Sequence, residues 1–161
     1  MIGFTPSDDP RAFRTALGAY ATGITVVTVP SPDGPIGITA NSFASVSLDP
    51  PLVLWSPAKT SKRFGYYENA KHFAIHVLDA HQQHICDGFA KNKSAFDGLD
   101  WETDDNNVPL LKGCLARFEC NLFAKHDAGD HTIILGQVHR ASTRDGLPLL
   151  FQGGRFASIK S

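Results

Sequence analysis

Apolar positions recur along this chain mostly at a spacing of two, in short runs broken by turn residues. Ile24–Val29 is a β-branched run and reads as a buried strand. Pro30-Ser31-Pro32-Asp33-Gly34-Pro35 is a turn. The segment that returns from it sets Ile36, Ile38 and Ala40 against Gly37, Thr39 and Asn41. Its apolar phase slips at Phe43 and recovers at Val46 and Leu48. A slip that recovers predicts a bulge or bend near Asn41–Ala44, after which Ser45 and Ser47 share one face. Asp49-Pro50-Pro51 then stops the strand. Leu52–Trp55 is apolar on both faces and reads as a central strand. His72–Leu78 places Phe73, Ile75 and Val77 on one face. Cys114–Lys125 and Thr132–His139 form a long pair, with Ile133-Ile134-Leu135 buried and a tight reversal at 126–131. Leu147–Phe151 and Arg155–Ile159 close the chain around Gly153-Gly154.

Helical spacing is rarer. Asp9 can cap a first helix with Pro10 in its first turn, carrying Phe13, Ala16, Leu17 and Tyr20 up to a stop at Gly23. A second helix is expected over Ser61–Asn69, capped by Thr60 or Ser61, and a third over Ala80–Phe89. Residues 90–107 are polar and contain glycine, with Phe96 and Trp101 as anchors, and form a candidate active-site loop. At least six strands, two or three helices and no regular strand–helix alternation predict a mainly β fold, an antiparallel barrel with peripheral helices. No GxGxxG follows a strand, which argues against a dinucleotide-binding α/β sheet.

Composition narrows the classes. The 161 residues are 42% hydrophobic and 19% charged, which suits one globular domain spanning 1–161. The net charge of −1 gives no basic surplus for nucleic acid or an anionic membrane. There is no charged-then-apolar leader and no apolar run of about 18 residues, so the cytoplasm is the expected compartment. Cys86, Cys114 and Cys120 form no CxxC pair and read as reduced structural residues. The pairs His72/His76 and His81/His84 lack a third partner at metal-binding spacing and read as solvated or structural.

Two stretches carry candidate chemistry. Ser56 to Arg63 combines hydroxyls, a helix start and Lys59, Lys62 and Arg63, which suits a phosphate site or simply a basic, well-capped surface helix. The Gly129-Asp130-His131 reversal presents His131 at a strand start. Its imidazole can donate, accept or stack there, or pair with Asp127 or Asp130.

Taken together, Thr22-Gly23-Ile24-Thr25-Val26-Val27-Thr28, the run Thr39-Ala40-Asn41-Ser42-Phe43-Ala44-Ser45-Val46-Ser47-Leu48-Asp49-Pro50-Pro51 and Gly129-Asp130-His131-Thr132 resemble the flavin reductase family, the small reductase components of two-component flavin-dependent monooxygenases. The resemblance runs from about Phe13 to Ile159. It implies a split antiparallel β-barrel of the FMN-binding type, a homodimer, and a flavin near the subunit interface. It implies reduction of FMN or FAD by NADH or NADPH, with reduced flavin passed to a separate oxygenase. By position, Thr39, Ala40, Asn41, Ser42, Ser45, Val46 and Ser47 resemble the wall of the isoalloxazine and ribityl chain, with backbone N–H groups near Ser45–Ser47 facing the charge that develops on the flavin. Ser56, Lys59, Thr60 and Ser61 resemble the flavin phosphate grip, Phe89 and Lys93 flank the flavin tail, and His131 takes the nicotinamide position. Two positions depart from the family pattern. Trp55 is expected to narrow the pocket, and Arg63 to alter phosphate or adenine contacts. Hydride transfer between nicotinamide and flavin needs no protein nucleophile or metal. The competing readings are a non-catalytic flavin- or haem-binding barrel and a self-contained flavin oxidase.

Overall fold

The computed structural model describes Met1 and residues 3–159. Among these residues, twelve strands and three helices follow in order: α1 (Pro10–Gly18), β1 (Thr22–Gly23), β2 (Thr25–Val29), β3 (Ile36–Ala40), β4 (Ala44–Leu48), β5 (Pro51–Trp55), α2 (Phe64–Glu68), β6 (His72–Val77), α3 (Gln83–Lys91), β7 (Trp101–Thr103), β8 (Pro109–Leu111), β9 (Ala116–Ala128), β10 (His131–Thr143), β11 (Leu150–Gln152) and β12 (Arg155–Ala157).

Seven strands form one antiparallel sheet in the order β3-β2-β6-β9-β10-β5-β4. Its two edge strands, β3 and β4, are joined by only three residues, Asn41–Phe43. A bridge that short brings the two edges of the sheet together, so the sheet must curl into a barrel. The phase slip in the alternation is this corner. A bulge does follow, at Val46: Ser45 pairs with Val53 and Ser47 with Leu52.

Alternation along β2 explains why the run Ile24–Val29 is buried throughout. Val27 and Val29 point into the barrel with Ile36, Val53, Trp55, Tyr67, Phe73, Ile75, Cys120 and Ile134. Ile24 and Val26 point the other way, under α3 and the 90–107 segment, with Leu78, Ile85, Phe89, Phe96 and Leu111. The sheet therefore buries apolar residues on both faces, and α3 is held on the outer one by Ile85, Cys86 and Phe89. Gly37 makes that packing possible, because a Cβ there would lie 2.4 Å from the Phe89 ring.

Several expectations are corrected. The first helix is capped by Asp9, whose carboxylate accepts from Ala12 N–H at 2.8 Å, but it ends at Gly18 and buries no residue. The second helix is only Phe64–Glu68; its N-cap is Arg63, and no side chain caps it. The Ser61 hydroxyl instead closes a tight turn by accepting from Arg63 N–H at 3.2 Å. The third helix is shifted to Gln83–Lys91. The polar segment 90–107 is not all loop, since Trp101–Thr103 pairs with Pro109–Leu111 and the Trp101 ring packs on Phe96. The long hairpin β9–β10 carries its pairing to Ala128↔His131, so His126 and Asp127 belong to a strand and the turn is Gly129-Asp130 alone. Gly129 takes φ +66°, the left-handed conformation such a two-residue turn requires. β5 is next to the sheet edge, with Val53 and Trp55 inward. Ile134 is buried, whereas Ile133 and Leu135 are half-buried. The apolar face expected for Val46 and Leu48 has nothing over it: they are 46% and 97% exposed.

Candidate functional site

The corner between β3 and β4 is where distant parts of the chain meet. Ser42 lies in that corner. Its hydroxyl accepts from Ser56 N–H at 2.9 Å and fixes the exit of β5. Two residues further on, the same loop meets the β9–β10 turn. Thr132 N–H donates to Pro57 O at 3.1 Å, Lys59 N–H donates to Asp130 O at 2.9 Å, and Ala58 bridges His131. Backbone hydrogen bonds thus seat the histidine turn against the 56–61 loop, although some 70 residues of sequence separate them.

His131 is 43% exposed at its side chain, and its Nδ1 lies 2.7 Å from an Asp130 carboxylate oxygen. That hydrogen bond holds the Asp130 carboxyl below the usual carboxylate range. It also fixes one ring nitrogen, while the other is not hydrogen-bonded within the described residues. Lys59 is engaged by the same hairpin: its ammonium pairs with Asp127 and donates to Gly129 O at 2.6 Å.

A few positions along the chain from Ser42 and Lys59, Thr39 and Ser61 line a cavity of about 750 Å³, in the size range of cofactor sites. Ile38 and Thr39 of β3 form its floor. Ser61, Lys62, Arg63 and Tyr66 form one wall, and Ala90, Lys91, Asn92 and Lys93 the other. Four cations and no carboxylate line it. Arg63 ties the walls together: its guanidinium donates to Gly37 O at 3.2 Å, to Phe89 O, and to Ala90 O at 3.4 Å. The last two are terminal carbonyls of α3, which have no partner within the helix. Lys93 donates to the Tyr66 hydroxyl, with its ammonium 4.4 Å from the centre of that ring, and Tyr66 donates to Asp33 at 2.8 Å. A smaller cleft of about 310 Å³ shares Thr39 and Ala90 with the cavity. It continues along Ala40 and Asn41 to Phe151 and Phe156.

Of the residues expected at a site, Thr39, Ser61 and Lys93 line the cavity, and Thr39, Ala40 and Asn41 line the cleft. Ser42, Ser56, Lys59 and His131 form the hydrogen-bonded cluster next to them. Ser45, Val46 and Ser47 lie on edge strand β4, outside both linings, and Thr60 is exposed in the loop. Phe89 is a correction. Its ring is fully buried against Gly37 and Phe96, and only its carbonyl reaches the cavity wall through Arg63. Trp55 is a second correction: it is 1% exposed, packed edge-on to Tyr67 inside the barrel, and narrows neither space. Sequence reading missed Tyr66, Lys91, Asn92 and the Phe151/Phe156 pair. Lys91 to Lys93 had a legible signal, three polar residues in a row where an amphipathic helix ends.

Other reactive groups belong to the scaffold. His76 is wholly buried, with Nδ1 3.0 Å from Val26 O and Nε2 accepting from Leu111 N–H at 3.0 Å. Burial pushes its pKa down to about 4. Burial likewise pushes the Cys114 thiol up to about 11 and Cys120 to about 12, so both stay protonated, and all three cysteines are unpaired. Among the described residues no three His, Cys, Asp or Glu side chains gather as a metal site needs. No helix among them is long and apolar enough to cross a membrane.

Comparison with known proteins gives one family. The model of the flavin reductase like domain matches residues 17–160. The chain is 61% identical over 154 residues to an FMN reductase (NADH), SmoA, of Agrobacterium fabrum, covering 95% of this chain and 88% of that one. It is 40% identical to the reductase subunit HsaB of a flavin-dependent monooxygenase of Rhodococcus jostii, covering 94% and 79%. Among solved structures, the NADH:FAD oxidoreductase SgcE6 of Streptomyces globisporus superimposes with a TM-score of 0.92 at 37% identity, covering 100% of this chain and 93% of that one.

Proposed function

Since the chain belongs to the flavin reductase family, with the split β-barrel architecture of its structural relatives, we propose that it is an NADH-dependent FMN reductase that supplies reduced flavin to a separate oxygenase. The observation that carries the reading is the cation-lined cavity between β3, the start of α2 and the end of α3, lined by Thr39 and Ser61 a few positions along the chain from Ser42 and Lys59 of the hydrogen-bonded cluster. It pairs a place for an anionic tail with a place for flat polar rings. The residues fit a flavin: no carboxylate opposes a phosphate, and small side chains from Thr39 to Ser42 let a ring approach backbone. A flavin bound there supplies the two-electron acceptor for a hydride from reduced nicotinamide.

The chain's own part is binding and alignment. Ser61, whose oxygen accepts from Arg63 N–H, keeps its O–H free to donate to a phosphate. Ser45, Val46 and Ser47 lie on the bulged edge strand. Backbone N–H groups there are our candidates for stabilising charge at the flavin ring, which requires the ring to extend past the corner. His131, fixed at Nδ1 by Asp130, presents Nε2 to hold the nicotinamide carboxamide. FMN and NADH are preferred because the relative at 61% identity is described by both. The oxygenase partner is supported by relatives described as monooxygenase reductase subunits.

We further propose a homodimer. Leu17, Tyr20, Leu48 and Phe123 are each at least half exposed, and no residue of α1 is fully buried among the described residues. Large apolar groups left bare on and just after α1, on β4 and on β9 suit an isologous interface. The three unpaired thiols suit the reducing cytoplasm. The reading is tested by NADH oxidation with free FMN, FAD and riboflavin in turn. Tight co-purifying flavin with no nicotinamide oxidation would favour the binding-module alternative.

A further inference from the structure

We infer that the phosphate of the flavin tail is gripped by Lys62 and Lys91, two lysines facing the cavity from opposite walls, and not by Lys59. The inference rests on the flavin reading above and assigns the groups that hold that ligand's anionic end. Four cations line the cavity, but two are already committed. Arg63 donates to the carbonyls of Gly37, Phe89 and Ala90. Lys93 is held by the Tyr66 hydroxyl and lies 4.0 Å from Asp33. Lys59, outside the lining, is paired with Asp127 and Gly129 O. Lys62 and Lys91 line the cavity, are exposed, and have no hydrogen-bond or ion-pair partner among the described residues.

A phosphomonoester carries about −1.5 to −2 charge at pH 7 and three acceptor oxygens. Two ammonium groups and the Ser61 hydroxyl match that charge and that number of acceptors. Arg63 has a different part. By joining the start of α2, strand β3 and the end of α3, it sets the separation of the walls that carry the two lysines. An arginine bound to carbonyl oxygens keeps its charge in the cavity without offering its best donors to a ligand.

The test is flavin titration of Lys62→Ala, Lys91→Ala, the double variant and Lys59→Ala, with FMN and riboflavin as the two probes. Both target lysines are exposed, so each single variant should fold, and circular dichroism with thermal melting checks this. FMN affinity is expected to fall about tenfold for each single change and further for both, because charged hydrogen bonds are lost. Riboflavin, which lacks the phosphate, should change by less than about twofold. Arginine at either position should restore most of the FMN affinity, and the double variant should show a weaker salt dependence of FMN binding, with Arg63 and Lys93 still in the lining. Unchanged FMN affinity in the folded double variant overturns the inference. So do equal losses for both flavins, or a loss confined to Lys59→Ala. If the unaltered protein neither binds flavin nor oxidises NADH, the flavin reading itself has failed.

Discussion

His131 stands where two loops separated by some 70 residues are joined by backbone hydrogen bonds. Its role was legible only as alternatives, because a turn histidine looks the same in sequence whether or not it serves a site. The expected outcome for His131→Ala is a fall of about tenfold or more in kcat/KM for NADH, with flavin affinity changed by no more than about threefold. Stopped-flow reduction and flavin titration separate the two, and a collapse of flavin affinity with normal reduction would move His131 to the flavin site. His76 shows the opposite case, a histidine whose task is structural. Its folded pKa of about 4 lies below the ordinary 6.5, mainly through burial. The unfolded chain therefore binds the extra proton first as pH falls. Stability is fully present above about pH 6.5 and declines through the window down to pH 4, by up to about 3 kcal/mol. Denaturant midpoints across that range check it, and imidazole resonances of His76 should remain those of the neutral ring at about pH 5. No periodicity distinguishes His76 from its neighbours on β6. Its partners, Val26 O and Leu111 N–H, come from other elements.

At the scale of elements, alternation found the strands and missed what joins them. The slip at Phe43 located the corner between β3 and β4, since a change of phase must turn the chain. The wall of the cavity was less visible. A basic stretch with hydroxyls resembles a capped helix, yet α2 has only five residues and no side-chain cap. Arg63 does its work across space instead, on the C-terminal carbonyls of α3 and on Gly37 O. Arg63→Ala should lower stability by about 2 kcal/mol, leaving partly buried carbonyls without a donor, and should raise KM for flavin more than it lowers kcat. Lysine there cannot span three acceptors and should rescue only in part. Gly37→Ala tests the same junction from the other side. Its Cβ would sit 2.4 Å from Phe89, so overpacking by about 1–3 kcal/mol is expected, read as a lower denaturation midpoint.

For the whole molecule, the barrel follows from many short antiparallel strands and the three-residue corner, and this much was readable from pattern. The exposed apolar residues were not, because Leu48 looks like any core leucine in sequence and is 97% exposed in the chain. A second copy would account for it, so light scattering at micromolar concentration should report a dimer, and Leu48→Asp should shift it toward monomer. In the proposed function the cavity and the histidine cluster serve one reaction between flavin and nicotinamide. Anaerobic mixing of the protein with FMN and NADH tests it most directly, with flavin and nicotinamide absorbance followed together. One NADH oxidised for each FMN reduced, at a rate proportional to protein and lowered in His131→Ala, is the predicted result. Flavin that binds and stays oxidised in the presence of excess NADH would contradict it.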